Sequence, residues 1–225
     1  IFIVYCNSDT YPGKSIQMLR TTAVEGHLLV LLKRLQQEPL LSELRLVGGT
    51  ALALQLGHRH SVDLDFFGAF EEGTGVQMKE QLERNGFDAR LDYDTKTIKT
   101  FAIDGIKVDM VNYPVGWLEP PIEEEEVRMA GLKDIAAMKL LAITNRGKKK
   151  DFIDLYFLLQ HFTMSQMLDF FLTKYRGSTT FNVMRSLTYF ADAENDDMPK
   201  MFIDVTWDEI KSRIRAVVNG ELAKP

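Results

Sequence analysis

Within 22 residues, LVGGTALALQLGHRHSVDLDFF (46–67), the chain passes from an apolar segment through a Gly-Gly pair into a short apolar stretch and then an acidic one. The run LRLV (44–47) reads as a strand and Gly48-Gly49 as a tight turn. Leu52, Leu54 and Leu56 then read as a short buried helix closed by Gly57. In HRHSVDLDFF (58–67), strand alternation puts Val62, Leu64 and Phe66 on one face and Asp63 and Asp65 on the other.

Two carboxylates at i and i+2 of a strand stand roughly 6 to 7 Å apart. At an effective dielectric of about 20 they repel by roughly 2 to 3 kcal/mol, so they call for solvent, a basic partner or a bound cation. Asp109 in IKVDMV lies opposite the core-facing Ile106, Val108 and Met110, on a strand expected to pair near Asp63 and Asp65. Three converging carboxylates suit Mg²⁺ or Mn²⁺, which keep waters and share their other positions with substrate phosphates. Gly48, Gly49 and Thr50 supply the phosphate half, because a Gly-Gly turn ahead of a helix presents free backbone N–H groups to an anion. Taken singly, a Gly-Gly pair is a plain turn and Asp-x-Asp a solvated strand face; their coupling makes the pattern specific.

Elsewhere, Leu28, Leu31, Leu32 and Leu35 give a first helix, and MKEQLERNGF (78–87) another. Residues 88–113 read as successive strands with a hairpin at Asp104-Gly105. Pro114, Pro120 and Pro121 with the acidic run Glu123 to Glu126 mark a linker or domain edge. Helical periods follow at 132–145, 151–162, 165–176 and 207–220. The expected fold class is α+β, with a core at 18–125 and a helical domain at 126–225 that completes the nucleotide site. Residues 1–17 are expected to be an upstream extension.

With 45% apolar residues and no apolar run long enough to span a bilayer, a soluble globular chain is expected and membrane partners are not. The single Cys6 gives neither an internal disulfide nor a Cys-rich metal site, which points to a reducing, cytoplasmic setting. The formal charge of −5 argues against a nucleic-acid partner. The average conceals a division, because Lys133 to Arg185 carries nine Lys or Arg against four Asp or Glu, a local +5 that leaves −10 for the remainder. Arg146, Lys148, Lys149 and Lys150 there read equally as a solvated helix face or an anion-binding patch.

The block 46–67, Asp109, and DIAAMKLLAITNRGKKKDFIDLYFLL (134–159) together resemble the AbiEii-type nucleotidyltransferases. These are toxins of type IV toxin–antitoxin systems within the polymerase-β-like superfamily. The resemblance implies a nucleotidyltransferase core with a small mixed sheet flanked by helices. It further implies that Gly48, Gly49 and Thr50 hold the nucleoside triphosphate and that Asp63 and Asp65 bind the metals. Asp109 would complete the metal site and act as base, although its placement rests on strand position. Lys139 would contact the triphosphate, whereas periodicity alone would have it snorkel from the core edge. Arg59 would contact phosphate, and Ser61 matches the same pattern. Asp151 reads as a helix N-cap, and Asp154 as a group that orients Lys139 or Arg146 or meets the base or ribose. His58 and His60 read as solvent-facing loop residues.

The function expected is metal-dependent transfer of a nucleoside monophosphate from an NTP to an acceptor hydroxyl. RNA, tRNA especially, is the acceptor the resemblance implies, and an antitoxin protein the partner. A sugar-nucleotide glycosyltransferase would use Asp-x-Asp but leave the Gly-Gly turn and Lys139 without a role. A non-catalytic nucleotide-binding module that docks an antitoxin-like partner is the alternative.

Overall fold

Alternation of apolar and polar residues builds the middle of the molecule. In the computed structural model, which describes residues 18–70 and 74–223, that alternation becomes a seven-stranded mixed sheet. The strands are β1 (Arg45–Leu46), β2 (Leu64–Gly68), β3 (Ala89–Asp94), β4 (Ile98–Ile103), β5 (Ile106–Asn112), β6 (Ile122–Glu124) and β7 (Val127–Met129), in the order β3-β4-β5-β2-β1-β7-β6. Leu64 and Phe66 of β2 and Val108 and Met110 of β5 are buried, while Asp65 and Asp109 alternate with them. β2 and β5 run parallel with Asp65 opposite Asp109, so the two carboxylates share one face. The hairpin at Asp104-Gly105 joins β4 to β5, both turn residues having positive φ.

Helices cover the sheet. They are α1 (Gly26–Gln36), α2 (Gly48–Leu56), α3 (Gly75–Arg84), α4 (Leu132–Asn145), α5 (Lys149–Leu158), α6 (Met164–Lys174), α7 (Thr180–Ser186) and α8 (Trp207–Leu222). The fold class is α+β. One continuous core runs from Leu28, Leu32 and Leu35 of α1 through Phe66 and Phe101 of the sheet to Phe152 of α5 and Ile214 of α8. Among the described residues no helix is long and apolar enough to cross a membrane.

Four readings of the sequence change. The acidic run Glu123 to Glu126, read as part of a linker or domain edge, lies in the hairpin β6–β7, whose β7 pairs parallel with β1 and so extends the sheet. Val62 is exposed rather than core-facing, because β2 begins only at Leu64 and Asp63 lies just before it. A seventh helix, 180–186, is too short for its period to show. His58 is fully buried, because its ring hydrogen-bonds Asp154 and packs on Phe157 at 4.8 Å, while residues 200–202 cover the backbone of 58–60: Phe202 N–H donates to the His58 carbonyl, His60 N–H donates to the Lys200 carbonyl, and Arg59 bridges Met201. The expectation for residues 1–17 lies outside the described residues.

Candidate active site

The turn from β1 into α2 is built around two glycines at which any side chain would meet groups of the site. Gly48 has φ of 68°, and a Cβ on it would collide with the Asp65 carboxylate. A Cβ on Gly49 would collide with the Arg59 guanidinium, so both glycines permit close approach of site side chains. Thr50 does not present its hydroxyl outward. That hydroxyl bonds the Ser61 hydroxyl at 2.8 Å and also donates to the Asp63 carbonyl, fastening α2 to the acidic segment.

Behind this turn lies a buried network of charge centred on Asp154 of α5. Its Oδ1 accepts from His58 Nε2 at 2.8 Å and Arg59 Nε at 2.7 Å. Its Oδ2 accepts from Arg59 Nη2 at 2.9 Å and lies 2.6 Å from Lys139 Nζ. A carboxylate has about four acceptor positions, so Asp154 is saturated from within and serves to orient Lys139 and Arg59 rather than to meet base or ribose. Arg59, expected on phosphate, is 3% exposed and committed to Asp154 and the His60 carbonyl; it braces the turn instead. Asp151 is not the N-cap of α5, a position Lys148 takes; it sits in the first turn and accepts from Lys139 Nζ at 3.0 Å and Arg146 Nε at 3.0 Å.

The electrostatics follow. Burial works against the Asp154 anion, but Arg59 and Lys139 outweigh it and hold the carboxyl well below the usual range. Burial likewise opposes the Lys139 ammonium, and Asp154 and Asp151 more than restore it. His58 is pushed down by burial, so it is a neutral imidazole that donates from Nε2 to Asp154; its Nδ1 has no hydrogen-bond partner among the described residues. Lys139 is therefore a fixed, permanently charged cation.

The carboxylates stand in front of it. Asp65 is raised by burial and then by Asp109, partly opposed by Lys139 and Lys107, with Asp63 adding to the rise. It is an anion short of positive charge. Asp109 accepts from Thr100 Oγ1 at 2.6 Å and from Lys107 Nζ, while Asp63 lies 3.8 Å from Lys150 Nζ. Among the described residues no three carboxylate, histidine or cysteine side chains are gathered at metal-holding spacing. The donor set nevertheless fits a hard divalent cation in its chemistry: oxygen only, on one face, with Asp65 under-compensated.

A cavity of about 280 Å³ opens beside these groups. Gly48, Asp65, Lys139 and Arg146 border it, so the turn, one carboxylate and the fixed cation face a common space. Phe67, Tyr113, Asn145 and Tyr175 also border it and had no signal in the sequence, since the tyrosines lie 62 positions apart on different elements.

Residues 30–219 match the family described as "Nucleotidyl transferase AbiEii toxin, Type IV TA system". The chain belongs to the AbiEii family. An uncharacterized protein of Aquifex aeolicus (strain VF5) is 34% identical to this AbiEii-family chain over 185 residues, covering 79% of it and 87% of the relative. The fold of this chain is shared by MenT4, a nucleotidyltransferase toxin of Mycobacterium tuberculosis H37Rv, at TM-score 0.57 and 17% identity, covering 87% of this chain and 81% of that one. A Helicobacter pylori chain matches at TM-score 0.51 and 19% identity, over 88% of this chain and 95% of its own. Membership and fold together support nucleotidyl transfer in a toxin–antitoxin setting.

Proposed function

We propose that this AbiEii-family protein transfers a nucleoside monophosphate from an NTP to a hydroxyl of RNA, as the toxin of a cytoplasmic toxin–antitoxin pair. The observation that carries the reading is the cavity, where Gly48, Asp65 and Lys139 meet although they come from α2, β2 and α4. The Gly48-Gly49 turn approaches the triphosphate with backbone N–H groups alone. Lys139, held by Asp151 and Asp154, neutralises charge that grows on the leaving pyrophosphate, and it needs no reorganisation to do so. Asp63 and Asp65, with Asp109, would hold Mg²⁺ or Mn²⁺. Such an ion supplies charge neutralisation and a more acidic attacking hydroxyl.

Transfer forms a bond from the acceptor oxygen to the α-phosphorus and breaks the one to pyrophosphate. The hydroxyl proton passes to Asp109, whose carboxylate Thr100 and Lys107 hold toward the front of the sheet. The test incubates the purified chain with Mg²⁺, each α-labelled NTP and bacterial RNA, beside an Asp63→Ala, Asp65→Ala variant. Metal-dependent label on RNA that the variant does not produce is the expected result. Nucleotide binding with no label in any fraction would leave a binding module that docks an antitoxin.

A further inference from the structure

The cavity is lined by groups of two chemical kinds. Gly48, Asp65, Lys139 and Arg146 are polar or charged, and they are absorbed by the triphosphate in the reading above. Phe67, Tyr113, Met138 and Tyr175 add an aromatic and apolar wall, and Asn145 borders the same space. A triphosphate has no use for such a wall. What fits it is a flat group with apolar faces and a polar rim.

The aromatic wall is fixed by its surroundings. The hydroxyls of Tyr113 and Tyr175 lie 2.9 Å apart and satisfy each other, which leaves the rings to line the cavity. Tyr113 packs on Phe67 at 5.2 Å and on Trp117 at 5.6 Å between ring centroids. Lys174 Nζ stands 5.1 Å from the Tyr113 ring and 4.6 Å from the Trp117 ring, and is itself held by the fully buried Asp134 at 2.7 Å. A platform so tied loses little conformational freedom when a ligand arrives. Asn145, which borders the same cavity, ends α4 and is exposed, and its side-chain amide has no hydrogen-bond partner among the described residues. A carboxamide presents a donor and an acceptor in one plane, the pattern that meets the edge of a nucleobase in pairs of hydrogen bonds. The next residue, Arg146, is anchored on Asp151 at 3.0 Å, which fixes the end of the helix from which Asn145 projects.

We infer that this wall of the cavity, with Asn145, is a base-reading pocket, in which Tyr113 and Tyr175 stack on the nucleobase and Asn145 selects it by its edge. The inference rests on the nucleotidyltransferase reading and adds to it the residues that choose among nucleotides. Binding of ATP, GTP, CTP and UTP in the presence of Mg²⁺ is measured by calorimetry on the full chain, independently of turnover. The wild type should rank the four. Asn145→Ala should flatten that ranking by about 5- to 150-fold for the preferred base, without a common loss. Tyr175→Ala should weaken all four by a similar factor, roughly 5- to 150-fold, and Tyr175→Phe should restore them. A merely structural role would not move the ranking. Binding of all four with equal affinity by the wild type, or an Asn145→Ala ranking like that of the wild type, overturns the pocket. Failure of every nucleotide to bind the wild type removes the nucleotide reading itself, and the pocket with it.

Discussion

Asp65, partly exposed, and Asp154, fully buried, are treated oppositely by their surroundings. Asp154 gathers Arg59, Lys139 and His58 around it, whereas Asp65 faces Asp109 directly across two parallel strands. Removing the charge at Asp65 should therefore relieve the fold while it damages the site. Asp65→Asn is expected to raise stability by roughly 0.2 to 1 kcal/mol, the scale of like-charge cross-strand pairs, and to abolish transfer; urea midpoints and label incorporation check both. Asp154→Asn should instead destabilise the fold, because it strands two buried cations, at a cost of about 3 to 5 kcal/mol. The sign with pH follows from the same contacts. Asp154 and Asp151 are both held below the usual carboxylate range, so their stabilisation is complete above the unfolded value of about 3.9 and is lost as pH falls through their lower folded values. Urea midpoints should decline gently below about pH 6.5, where the unfolded chain takes up a proton that buried His58 resists, and fall steeply below about pH 4. That Gly48, Gly49 and Asp65 come together was legible in the sequence because their spacing is local, whereas Lys139 was marked by the resemblance, its helical period alone placing it at the core edge. The burial of His58 was not legible, because its ring is covered by Asp154 and Phe157 of α5, close to 100 positions away.

At the level of elements, two hairpins show why one could be read and the other could not. Both turns place two residues at positive φ: Asp104 and Gly105 at 50° and 80°, Glu125 and Glu126 at 47° and 68°. Asp-Gly is what such a turn favours, so β4–β5 announces itself. Glu-Glu carries the left-handed backbone at a cost of about 1 to 2 kcal/mol per residue, so Glu123 to Glu126 read as a charged linker. Among the described residues, the polar contacts that partly offset it are Glu125 with the Leu19 N–H at 3.3 Å and Glu126 with Lys33 at 3.8 Å. Glu125→Asn with Glu126→Gly should stabilise the fold by about 1 kcal/mol, and the thermal midpoint of the double variant should rise with transfer intact. A fall in the midpoint would mean that the Leu19 and Lys33 contacts outweigh the backbone strain.

For the molecule as a whole, the division of charge bears on how an anionic acceptor arrives. The net charge is −5, yet the segment from Lys133 to Arg185 carries +5. Part of that excess is consumed internally: Lys139 is bound to Asp151 and Asp154, Lys174 to Asp134, and Lys149 to carbonyls of residues 194 and 196. Six remain exposed, of which Arg146, Lys148 and Lys150 lie together beside the cavity and Asp63, apart in sequence from Lys133, Arg176 and Arg185. An RNA acceptor would meet its cations there and the acidic remainder elsewhere, so orientation and affinity both depend on a small patch. Affinity for RNA should then fall with salt at a slope of about 0.7 per phosphate neutralised on a single strand. Lys148→Gln with Lys150→Gln should reduce that slope by about 1.4 and leave NTP binding unchanged, because neither side chain borders the cavity. Titrations of labelled RNA between 50 and 200 mM salt measure it. An unchanged slope would place the acceptor on another face, and the internal pairing of the buried lysines would then be the whole use of the basic segment.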